Sequence, residues 1–233
     1  MSEYLSNIIN NLERIEKEES EALGRAARLV ANTIKNDGLI YVFGCGHSHL
    51  PGLDAFYRAG GLANVSPILD TDLMLHNGAA KSSRMEKMRG IAPEVIRRYC
   101  LTERDMLFII SASGKNNVPV EMAECARELG IKTVGISSSS YYERGGVLHT
   151  KVDIAIDCKV PYGDASVALG DARMGGLSTS AACFILNSCL IEGSKLALAE
   201  GKIPPVYLSG NIEGGREHNV TLEEAYLGRV KHL

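Results

Sequence analysis

The chain has 233 residues, 45% of them hydrophobic, and a formal charge of -3. That length suits one substantial core better than two, and acidic and basic residues mixed along the chain leave no electrostatic footprint for nucleic acid or an anionic membrane. The N-terminal stretch MSEYLSNIINNLERIEKEES is polar throughout, the cysteines (Cys45, Cys100, Cys125, Cys158, Cys183, Cys189) show no CxxC spacing, and the longest apolar run, Ala181 to Ile191, is broken by Asn187 and Ser188. Together these read as a reduced, cytoplasmic protein with no membrane span.

From Ser2 to Asn36, apolar residues recur at Leu5, Ile8, Leu12, Ile15, Leu23, Ala27, Val30 and Ile34 with charges between them, which predicts one long amphipathic helix or two. The triplet Asn36-Asp37-Gly38 ends it. Leu39 to Phe43 is a continuous apolar strand, and Asn64 to Leu69 a weaker one interrupted by Pro67. Asp105 to Ser111 predicts a third strand, Val118 to Leu129 an amphipathic helix stopped by Gly130, Ile131 to Ser137 a fourth strand and Val152 to Cys158 a fifth. Leu177 to Ala199, with Gly193 inside it, is a helix too apolar to face solvent, suited to the domain interior or a subunit contact. A Gly- and Pro-rich tail follows, closed by a short helix from Leu222 to Arg229. Strands without polar alternation, separated by helices, indicate a parallel sheet covered on both faces.

In such a sheet the ligand sits beyond the carboxyl ends of the strands. Three of those ends are rich in Gly, Ser and Asn: GCGHSH after the first strand, SASGKNN after Ile110, and SSSS after Ile136. Amides and hydroxyls gathered there would cradle a small anion, most commonly phosphate. The same residues also serve as plain turn formers. GCGHSH lacks the third glycine of a dinucleotide fingerprint and the G-K-[ST] of a nucleotide P-loop, so NAD and ATP are excluded. His47 and His49 stand two apart with no clustered third ligand, so no metal and no cofactor is expected.

The stretch FIISASGKNNVPVEMAECARELGIKTVGIS, from Phe108 to Ser137, resembles the sugar isomerase (SIS) domain, with Ser111, Ser113, Gly114 and Asn116 on its Ser-x-Ser-Gly pattern. VFGCGHS resembles the first Gly-x-Gly-x-Ser turn of the same family through Gly44, Gly46 and Ser48. The likeness covers Leu39 to about Gly193, and the RAGG at Arg58 to Gly61 with the C-terminal tail places the chain nearest a bacterial group related to phosphoheptose isomerase and N-acetylmuramic acid 6-phosphate etherase. The resemblance implies one domain over 1–233, with a helical arm over 1–36 and a tail over 200–233. It also implies a three-layer α/β/α fold with a five-stranded parallel sheet of flavodoxin-like order. Its ligand would be a phosphorylated sugar, without nucleic acid or membrane partners, and its assembly a homodimer or homotetramer. Ser48, Ser111, Ser113 and Asn116 would contact the phosphate, with Gly46 in the first turn, the amides of Ala112 to Asn116, and Ser137 from the next strand end. Lys115 either reinforces phosphate binding or is an ordinary solvated lysine.

Aldose–ketose isomerisation further needs an acid–base group. Relatives carry a catalytic glutamate ten residues after the serine of the first turn, where this chain has Arg58, a residue that can clamp an oxyanion but cannot serve as a base. The remaining candidates are Glu86 in RMEKMRG, where the following residues resemble an acidic helix start; Glu192 on the late helix; His47 beside the first turn; and His218 in the tail. His49, Glu94, Asp54 and Asp171 are weaker candidates. The expected activity is a phosphosugar isomerase, with an etherase-type lyase or a non-catalytic phosphosugar sensor as alternatives.

Overall fold

The computed structural model describes all 233 residues. The elements in chain order are α1 (Glu3–Glu18), α2 (Ser20–Lys35), β1 (Ile40–Gly44), α3 (Leu50–Ala55), β2 (Val65–Ile68), α4 (Ala79–Met85), α5 (Ile91–Ile96), β3 (Met106–Ile110), α6 (Asn117–Glu128), β4 (Lys132–Ser137), β5 (Ile154–Asp157), β6 (Ala165–Leu169), β7 (Ala172–Gly176), α7 (Ser178–Ala199) and α8 (Gly215–Tyr226). The N-terminal arm is two helices, capped at its start by the Ser2 hydroxyl, which accepts from the Leu5 amide at 3.3 Å, and broken at Glu19, whose ψ of 12° leaves helical geometry.

The main sheet is parallel, in the order β2-β1-β3-β4-β5, the flavodoxin-like order expected. Pro67 lies opposite Val42 on the edge strand β2, where its missing N–H removes no bond from an inner strand. Successive strand residues point to opposite faces, and here both sets are apolar. Ile40, Val42, Phe108 and Ile110 join a core with α2 and α7, whereas Tyr41, Phe43, Leu107 and Ile109 join one with α5 and α6. The sheet is therefore the middle of three layers.

α7 is long and apolar enough by length and composition to cross a membrane, contrary to the sequence reading. In the fold it is a packing helix: Ala181, Ile185, Leu186, Cys189 and Gly193 are buried. A Cβ on Gly193 would lie 2.5 Å from the Val30 side chain and 2.7 Å from the Ala27 carbonyl, so this glycine sets how closely α7 meets α2. The elbow between α1 and α2 is tied to the end of β5 by Lys159, whose ammonium lies 2.6 Å from Glu19, 3.2 Å from Glu18 and 3.3 Å from Asp157.

Two features depart from the sequence expectation. The antiparallel hairpin β6–β7 was not anticipated. It turns at Gly170-Asp171, so Asp171 sits exposed at its tip. It is held to α1 by the Tyr4 hydroxyl donating to the Gly176 carbonyl at 3.0 Å and by Asn7 donating to the Ser166 carbonyl at 3.0 Å. The last helix runs from Gly215 to Tyr226 rather than from Leu222 to Arg229.

Candidate functional site

Gly44, Ile110 and Ile136 are level in the register of β1, β3 and β4. Strands about 4.8 Å apart thus release their loops side by side at one end of the sheet. The first turn folds back over β1, with the Ser48 amide donating to the Cys45 carbonyl at 2.9 Å and the Gly46 amide to the Leu73 carbonyl at 2.8 Å. The second loop is a tight turn in which the Gly114 amide donates to the Ser111 carbonyl at 2.9 Å and approaches the Ser111 hydroxyl at 3.2 Å. Gly114 adopts φ +56° there, and a Cβ would press on Leu148 at 3.1 Å. No backbone acceptor takes the amides of Ala112, Ser113, Lys115 or Asn116, which are left at the start of the 12-residue helix α6. Donors so arranged suit an oxyanion.

A narrow cleft, with about 10 Å³ of space for water-sized molecules, opens between these turns and the start of α7. His47, Ser48 and Ala112 line it, together with Ser178 and Thr179. Asp164 fixes that end of α7, accepting from the Leu177 and Ser178 amides at 3.0 and 2.8 Å.

Glu86 closes α4, its amide donating to the Ser82 carbonyl at 3.0 Å. It therefore ends a helix instead of starting one, correcting the motif reading. Its carboxyl is half-buried, and burial pushes it above the usual carboxylate range, against the opposing pull of the nearby Asn116 side chain and of Lys87. The same carboxylate, with Asp70, adds to the burial that pushes the Cys45 thiol upward. Glu86 thus stands near Cys45 at the first turn and Asn116 of the second loop, without lining the cleft.

His47 is exposed on the cleft, whereas His49 is buried, its Nδ1 donating to the Gly46 carbonyl. Burial, the largest cause, lowers the His49 pKa, and His76 and His47 add to it. His49 is a neutral residue that braces the turn.

Several expected residues lie elsewhere. Arg58 is half-exposed and paired with Asp54, outside the cleft. α3, only six residues long, has already carried the chain back along β1, with Gly52 packed on Val42. Asp54 also accepts from Asn187 at 3.2 Å. Glu192 pairs with Lys195 at 2.7 Å, and a rise of 1.5 Å per residue puts it about 20 Å along α7 from Thr179. His218 is exposed on α8 and bonded to the Val206 carbonyl at 2.9 Å, next to the segment that pairs with Leu62 before β2 begins, the far end of the sheet from the cleft. Ser137 is buried behind Gly114; its hydroxyl makes no well-formed bond, although the Tyr142 hydroxyl is nearby. The rest of SSSS is structural, Ser138 donating to the Val160 carbonyl at 2.6 Å. Glu94 forms an exposed pair with Arg97.

Ser178 and Thr179 are cleft residues the sequence reading passed over. Their signal was the run of hydroxyl residues opening the late helix, in LSTS.

The family model of the SIS domain matches residues 3–138. A UPF0309 protein of Thermoanaerobacter pseudethanolicus is 40% identical, over 99% of both chains, and another of Geobacillus thermodenitrificans is 39% identical over 100% of this chain and 97% of the relative. Among solved structures, phosphoheptose isomerase of Neisseria gonorrhoeae superposes with a TM-score of 0.54 at 19% identity, covering 82% of this chain and 95% of that one. The NanR protein of Vibrio vulnificus, complexed with ManNAc-6P, superposes with a TM-score of 0.52 at 13% identity, covering 99% of this chain and 68% of that one. At those identities the likeness is one of fold.

Proposed function

The chain belongs to the SIS-domain family, and we propose that it binds a phosphorylated sugar at the 45–48 turn and the 111–116 loop and interconverts its aldose and ketose forms. Family membership and the phosphosugar bound by a protein of the same fold support the ligand class. The observation that carries the reading is the set of amides at Ala112, Ser113, Lys115 and Asn116 that no backbone acceptor takes, on a loop released beside the Ser48 turn, with the Glu86 carboxyl near Asn116.

In this reading Ser48, Ser113 and Asn116 and the loop amides hold the phosphate, the Ser111 hydroxyl shapes the turn, and Lys115, exposed at the helix start, adds long-range attraction. Glu86 takes the proton from the carbon next to the carbonyl and returns it to the former carbonyl carbon, while the hydroxyl proton on the first of these carbons passes to the carbonyl oxygen. His47, on the rim, exchanges the proton that opens and closes the ring. The protein is proposed to work in the cytoplasm as a single SIS domain. It is assigned a homodimeric or homotetrameric assembly, supported by Ile191, Leu196 and Leu198, which α7 leaves exposed. Light scattering at micromolar concentration is expected to report more than one chain, and a monomer would remove that assignment.

Pooled hexose and heptose phosphates followed by NMR should show interconversion. Binding without turnover would favour the sensor reading, which has its own support in Arg58 standing where relatives carry a catalytic glutamate. Ser113→Ala removes one donor to a charged group, worth about 1.5–3 kcal/mol, so phosphosugar affinity should fall roughly ten- to a hundred-fold. Calorimetry that finds it unchanged would count against the cradle.

A further inference from the structure

Beyond the cleft, the loops that follow β4 and β5 build an aromatic ledge. The rings of Tyr141 and Tyr162 lie 5.0 Å apart at 48°, and the Arg144 guanidinium sits 4.5 Å over the Tyr162 ring. The Tyr141 hydroxyl accepts from the Gly163 amide at 2.9 Å, and Arg144 donates to the Ser140 carbonyl at 3.2 Å, so both loops are braced against each other. Tyr162 nevertheless remains 60% exposed. A clamped, exposed tyrosine is an unusual surface feature, since its apolar face stays in water at the expense of burial.

The ledge is coupled at both ends to the proposed phosphate site. On one side, the Gly146 amide donates to the Tyr141 carbonyl at 2.9 Å, and the neighbouring Val147 and Leu148 amides donate to the Gly114 carbonyl at 2.9 and 3.0 Å. On the other, Tyr162 is two residues before Asp164, which holds the Ser178 amide at the wall of the cleft. The three ledge side chains do not line the cleft itself, but their loops leave the same end of the parallel sheet as the 111–116 loop.

We propose that the Tyr141–Tyr162–Arg144 ledge receives the C–H face of the sugar, so that the site selects phosphosugars in the closed, pyranose form. A pyranose ring presents a flat patch of C–H groups that matches a π-face, whereas an open chain rotates and offers no such patch. The inference rests on the phosphosugar reading above and adds the form of the sugar that is bound.

The test compares glucose and mannose 6-phosphates with sorbitol and mannitol 6-phosphates, which keep the phosphate but cannot close a ring, and with inorganic phosphate. Affinities are measured by calorimetry on the full chain, its Tyr162→Ala variant and its Tyr162→Phe variant. The wild type should prefer a ring over its alditol by roughly ten-fold, the size expected of one aromatic stacking contact. Tyr162→Ala should abolish that preference, Tyr162→Phe should keep it, and inorganic phosphate should bind all three proteins alike. Normal phosphate binding with no ring preference in the wild type, or with a preference that survives Tyr162→Ala, overturns the ledge and leaves the phosphate cradle standing. Failure of inorganic phosphate and all four sugar phosphates to bind overturns the cradle, and the ledge with it.

Discussion

Gly44→Ala is expected to destabilise the protein by about 3 kcal/mol or more, the upper end of what overpacking costs, and to abolish phosphosugar binding with it. The new Cβ would lie 2.1 Å from the Ser48 carbonyl oxygen, 2.4 Å from its carbon and 2.9 Å from the His49 amide. These are backbone atoms, so no rotamer change can relieve the overlap. Either β1 shifts within a sheet where its neighbours are fully buried, or the 46–49 turn lifts away and gives up the bond from the Ser48 amide to the Cys45 carbonyl. Chemical denaturation measures the first consequence, and calorimetric titration of a variant that still folds measures the second. Wild-type stability together with wild-type affinity would show that the turn does not depend on this close approach.

The same contact explains why so much of the site could be read from the chain. The loops that follow β1 and β3 are short and are placed by strands buried on both faces, so locating the strands located the loops. The apolar runs gave those strands almost to the residue: Asp105 to Ser111 against Met106–Ile110, and Val152 to Cys158 against Ile154–Asp157. Positions that depend on the direction of longer elements were not legible. Glu192 occupies a site-bearing helix, but the helix is about 33 Å long by its rise per residue and meets the cleft only in its first turns, at Ser178, Thr179 and Ala182. Arg58 keeps the spacing of a relative's catalytic residue while its guanidinium pairs with Asp54 outside the cleft.

The hairpin and α8 escaped for a different reason. Leu169 and Met174 of the hairpin are exposed, and its anchors on Tyr4 and Asn7 come from 172 and 159 residues away in the chain, distances over which local patterning carries no signal. The two-residue Gly-Asp turn was the usable clue. In α8 only Gly215 and Tyr226 are buried, so almost no apolar stripe marks its first turns.

Glu86→Gln is expected to lower kcat about 10²- to 10⁴-fold, the range for loss of a general base, while phosphosugar affinity stays within a few-fold. Gln preserves the shape and can still meet Asn116, but it cannot accept a proton from carbon. Its stability should move the other way. Burial raises the folded-state pKa of Glu86 above its unfolded value, so the contribution of this group to stability is fully present below the unfolded pKa and is lost as pH rises through the folded one. At neutral pH the folded protein therefore carries a half-buried charge that the variant lacks, and Glu86→Gln should melt no lower than wild type. Turnover requires the ionised carboxylate, so the acid limb of kcat/KM should lie above the usual glutamate value of about 4.3. The nearby Asn116 side chain favours the charged form and holds that pKa down. Asn116→Ala should therefore move the limb to still higher pH, in addition to weakening phosphate binding. A structural glutamate would leave the position of the limb unchanged in Asn116→Ala, and full activity in Glu86→Gln would assign the proton transfer to another residue.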